Sequence, residues 1–92
     1  MALLAEVCQS TDRADRGVKL RRYAEVGVPV YWVIDIARRQ VEVYQTPKGG
    51  GNQAHYADRT AYTDGQDVPV IIDGREVGRL AVADVLPAKP GA

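Results

Sequence analysis

Apolar residues occupy both alternating faces from Met1 to Cys8, with Glu6 as the one interruption, and that is how a strand covered on two sides reads. Gln9, Ser10, Thr11 and Asp12 follow, a run of side-chain oxygens suited to the free amides of a helix start. From Asp12 to Val26, Leu20, Tyr23, Ala24 and Gly27 fall on one stripe at helical spacing, while Arg13, Arg21, Arg22 and Glu25 lie mostly off it. Gly17 shares the stripe, and a glycine there predicts that the helix backbone lies close against a sheet. Gly27 and Pro29 end the helix. Val28 to Ile36 is a second strand, apolar on both faces and so placed inside a sheet. Ala37, Arg38 and Arg39 turn the chain, and Gln40 to Gln45 returns with Val41 and Val43 on one face and Glu42 on the other.

Strand, helix and strand in this order predict a parallel βαβ unit, followed by antiparallel hairpin strands. Further on, Pro47 to Asn52 is a glycine-rich loop, His55 to Tyr62 and Val68 to Ile72 are strands, and turns fall at Asp64-Gly65 and Asp73-Gly74. Val82 to Leu86 is one helical turn. The expected organisation is one α/β domain over residues 1–86 and a disordered tail over 87–92.

Composition narrows the function only by exclusion. Twelve basic and twelve acidic side chains cancel, so no overall positive field points to nucleic acid. The single cysteine, Cys8, has no thiol to pair with, which fits a reducing, cytoplasmic setting. The opening residues do not read as a signal peptide, and no window is apolar for long enough to be expected to span a membrane. With no polar lead-in before Leu3, the chain reads as starting inside a strand.

Glu6 carries the chemistry, because a carboxylate in an apolar strand needs a cation or several donors. Lys19 sits at the margin of the helix stripe next to Tyr23, placed to reach the C-terminal end of the Glu6 strand, the end where open α/β sheets gather ligands. The stretch Ala5 to Thr11, then Asp15-Arg16-Gly17-Val18-Lys19-Leu20 with Tyr23-Ala24, then Gly27 to Asp35, resembles the Uma-two family of restriction endonucleases, within the PD-(D/E)XK nuclease superfamily.

The resemblance implies a restriction-endonuclease-like core fragment and a metal-dependent DNA endonuclease that hydrolyses phosphodiester bonds. It places Glu6 as a metal ligand and catalytic residue, Cys8 where most of the superfamily carries its lysine, and Lys19 as the replacement for that lysine. Mg2+ is the implied cofactor and DNA the implied partner. It also implies a second acid shortly before Leu3, where this chain begins, so the expectation is an N-terminally incomplete site with weak activity. The rival expectation is a non-catalytic, self-associating remnant of the nuclease fold. An uncovered inner sheet edge predicts a homodimer in either case.

Ordinary roles compete for each residue. Glu6 and Lys19 also read as a partly buried ion pair, and Asp15 as the i,i+4 partner of Lys19. Ser10 and Thr11 read as caps, Tyr31 and Trp32 as core, Cys8 as a small buried apolar side chain and His55 as surface. Gly49 to Gly51 is a hairpin linker without the lysine of a phosphate loop. Arg13, Arg16, Arg21, Arg22, Arg38 and Arg39 line a DNA path only if they share a side; otherwise they form a solvated face.

Overall fold

The computed structural model describes residues 3–8 and 13–87, and for 13–16 the backbone only. Its order is β1 (Leu4–Cys8), α1 (Arg13–Glu25), β2 (Val30–Asp35), β3 (Gln40–Lys48), β4 (His55–Thr63), β5 (Asp67–Ile72), β6 (Arg75–Ala81) and α2 (Val82–Val85). Strands β1 to β4 form one sheet in chain order, with β1 parallel to β2 and the other neighbours antiparallel. The βαβ unit and the hairpin after it are therefore present. Strands β5 and β6 pair separately as a second, two-stranded sheet.

Local chemistry explains the joints. Helix α1 ends in a Schellman motif: Gly27 takes a positive φ of 79°, its N–H donates to Ala24 O, and Val28 N–H donates to Tyr23 O. At the β2–β3 turn the Asp35 carboxylate accepts the Arg38 N–H at 3.0 Å. Asp73 and Gly74 both have positive φ, 52° and 79°, the twist that joins β5 to β6 in a tight hairpin.

Both faces of the four-stranded sheet are covered. On one, Val30, Trp32, Val41 and Val43 pack with Val68 of the β5–β6 hairpin, Val82 of α2 and Leu86 just after it. On the other, Tyr31, Val33 and Tyr44 pack with Leu20 and Tyr23 of α1 and with Tyr56 of β4. This two-sided cover is why β2 reads as apolar on both faces.

Two expectations are corrected, for β1 and Gly17, and two features, the burial of Glu42 and strand β6, are ones the sequence did not signal. Strand β1 alternates half-buried and exposed residues, and Val7 is 60% exposed, because β1 is an edge among the described residues and its Ala5–Val7 face lies outside the core under the hairpin. Gly17 does not mark a close helix–sheet approach: a Cβ built there meets nothing within 4 Å. Glu42 does face away from Val41 and Val43, yet it is only 1% exposed, because α1 roofs that face. Strand β6, charged and mostly exposed, carries no apolar alternation by which to predict it. The caps at residues 9–12 and most of the 87–92 tail lie outside the described residues.

Candidate functional site

Glu6 stands opposite Val33 in the parallel β1–β2 register, which directs its side chain to the α1 face along with Leu4 and Cys8. Here three donors meet it. Tyr23 OH, from α1, donates to Oε1; Tyr31 OH, from β2, lies 3.4 Å from Oε2; and Lys19 Nζ lies 3.3 Å from Oε2. Lys19 and Tyr23 are one helical turn apart, so one face of α1 presents both. The structure thus brings Glu6 and Lys19 together at a partly open rim, with side chains 26% and 45% exposed.

The electrostatics follow from these contacts. The Tyr23 hydroxyl, more than Lys19 or Tyr31, holds the Glu6 carboxyl below its ordinary range, and partial burial opposes them. Tyr23 is raised in return by donating to a carboxylate. Tyr31 is raised further, first by burial and then by the Glu6 charge. Glu6 is therefore an ionised, directed acceptor at neutral pH, with an ammonium beside it. That pair can neutralise and orient a small polar group at the rim.

Other candidates are dispersed. Cys8 is half-buried beside the tyrosine cluster, in keeping with packing. His55 is exposed, its Nδ1 2.8 Å from Gln53 O. Arg39 is bound to Asp64 through Nε and Nη2 and to Pro87 O through Nη1, a structural clasp on the segment after α2. Arg21, Arg22 and Arg38 are exposed, while the side chains of Arg13, Asp15 and Arg16 lie outside those described.

Sequence reasoning missed the two tyrosines as partners of Glu6. Their apolar surroundings read as core, and only strand pairing shows that their hydroxyls converge. It also missed Glu42, whose carboxylate meets Tyr44 OH at 3.2 Å and Arg59 Nη2 at 3.5 Å. Glu42 lies on the same face as Glu6, across Val33 in the strand register, and is buried.

A divalent cation on hard oxygen ligands normally takes several carboxylate or carbonyl oxygens. Among the described residues no three His, Cys, Asp or Glu side chains converge on one point. Both oxygens of Glu6 are already engaged, and Asp35 and Glu42 are buried in other contacts. The described residues do not by themselves fit such an ion. Nor is any described helix long and apolar enough to cross a membrane.

The family model described as Uma2, putative restriction endonuclease, matches residues 1–82. Among curated proteins no match is found.

Proposed function

Because the chain belongs to the Uma2 family of restriction-endonuclease-like proteins, we propose that it serves metal-dependent hydrolysis of DNA phosphodiester bonds, with Glu6 and Lys19 as its working pair. The observation supporting this reading is their meeting at 3.3 Å on an open rim, in a strand and helix whose remaining inward residues are mostly apolar or aromatic.

Phosphodiester hydrolysis places negative charge on the phosphoryl oxygens as water attacks, and a fixed cation beside that charge lowers the barrier. Lys19 supplies a compact ammonium for the purpose. Glu6 keeps the ammonium at the rim, and its ionised oxygens orient polar hydrogens next to it. In this reading Glu6 would also be the residue to hold Mg2+, giving up one of its present donor contacts to do so.

Nicking of supercoiled plasmid in Mg2+ tests the proposal. Glu6→Gln and Lys19→Ala should each lower the rate by roughly 100-fold, and chelation by EDTA should abolish it. Cleavage by either variant at the unaltered rate overturns the pair's role. If the unaltered chain neither cleaves nor binds Mg2+ by titration calorimetry, its catalytic reading fails.

A second reading, a non-catalytic self-associating module, is favoured by a specific feature. Beyond β1, no further strand pairs with its outer edge among the described residues. Beside it lies a groove of about 500 Å3 lined by Leu4, Tyr23, Val26, Gly27 and Val28. In this reading residues 1–86 act as one unit, and two copies join edge to edge as a homodimer. Sedimentation equilibrium showing only monomer at tens of micromolar would rule it out.

A further inference from the structure

We propose that Tyr23 and Tyr31 are positioning residues for Glu6, a two-hydroxyl clamp that fixes the direction of its carboxylate relative to Lys19. This deepens, and rests on, the reading of Glu6 and Lys19 as the working pair.

Each oxygen of Glu6 has its own phenol: Tyr23 donates to Oε1 and Tyr31 approaches Oε2, the oxygen that Lys19 also meets. A carboxylate held at one oxygen can still rotate about its last bond; held at both, it cannot turn without breaking a contact. The phenol rings are themselves packed against one another. Tyr31 is 3% exposed and stacks on Tyr44 and Tyr56 with ring centroids 6.1 and 6.3 Å apart. The Tyr23 ring tilts onto Tyr31 at 4.9 Å.

Packing needs the rings but not these hydroxyls. Tyr56, from the same cluster, shows the contrast, because its hydroxyl donates to the backbone at Val28 O, 2.9 Å away, rather than to Glu6. Alignment matters because misplacing a reacting group by about 1 Å can cost roughly 100-fold in rate.

The test uses the full chain with Tyr23→Phe, Tyr31→Phe and, as control, Tyr56→Phe. In plasmid nicking with Mg2+, Tyr23→Phe should lower kcat by about 10- to 100-fold while KM stays within about twofold. Tyr56→Phe should lower the melting temperature and leave kcat per folded molecule unchanged. An unchanged kcat in both Tyr23→Phe and Tyr31→Phe overturns the clamp.

A second readout does not depend on turnover. At pH 7 the Glu6 side-chain carboxyl 13C resonance should move, and its relaxation should report greater motion, in Tyr23→Phe but not in Tyr56→Phe. A Glu6 resonance unmoved by loss of the Tyr23 hydroxyl overturns the clamp even if the unaltered chain cleaves DNA. An unaltered chain that does not cleave, with the Glu6 resonance moving as described, sinks the endonuclease reading and leaves the clamp standing.

Discussion

Two glycines at single positions illustrate how differently one residue type is used. Gly49 has a φ of +76°, and a Cβ added there would lie 2.4 Å from Gln53 O, a backbone atom that cannot swing aside. Gly49→Ala should therefore destabilise the protein by more than about 1 kcal/mol, seen as a lower urea midpoint. Gly17 lies in α1, exposed, with open space where a Cβ would go. Gly17→Ala should raise stability by about 1 kcal/mol, because alanine loses less backbone entropy in a helix; an unchanged midpoint would contradict this. The burial of Glu42 is likewise decided at one residue. Its carboxylate is matched by Tyr44 OH, Gln40 Nε2 and the Arg59 guanidinium, which offset its desolvation. Nothing in the alternation of β3 distinguishes that site from a solvated one.

At the scale of elements, the β5–β6 hairpin is held to the main sheet through apolar contacts, since it belongs to a different sheet. Val68, fully buried, is its chief inward residue. Val68→Ala should cost about 2 kcal/mol in chemical unfolding, with amides of β5 and β6 losing hydrogen-exchange protection first. The join between α1, β2 and β4 depends on tyrosines that burial keeps neutral. Tyr56 is pushed up from 10.0 to about 12, chiefly by burial. Between those pH values the unfolded chain has released a proton that the folded chain still holds, so the stability due to Tyr56 is complete below pH 10 and is lost as pH rises through about 12. Urea midpoints measured across this range should fall less steeply in Tyr56→Phe than in the unaltered chain. Identical slopes would show that Tyr56 does not titrate differently on folding. The elements themselves were legible, β1, α1, β2, β3 and α2 each lying within a few residues of the expected bounds, because their periodicity and stop signals are local. Strand β6 was not, since REVGRLA presents charges on an exposed edge and has little apolar face to betray it.

Across the whole molecule, the feature with the largest consequence is the outer edge of β1, on which no strand pairs among the described residues. Ala5 and Val7 are exposed beside it, and an apolar edge invites pairing with another strand. If two copies associate there, Val7→Lys should shift the sedimentation equilibrium toward monomer while leaving the circular dichroism spectrum unchanged. An unaltered association constant would place any dimer interface elsewhere. The sequence by itself determined the order of the elements apart from β6, the βαβ unit, the family and the anomaly of Glu6, since each is carried by residues close together along the chain or by an ordered motif. Only the tertiary structure decided that Tyr23 and Tyr31 would both turn their hydroxyls to Glu6, that Glu42 would be roofed and Val7 left open, and that β5 and β6 would form their own sheet. Those outcomes depend on which strands pair, in what register, and on which face the helix settles. These are choices made by contacts between residues far apart in sequence, and no local pattern records them.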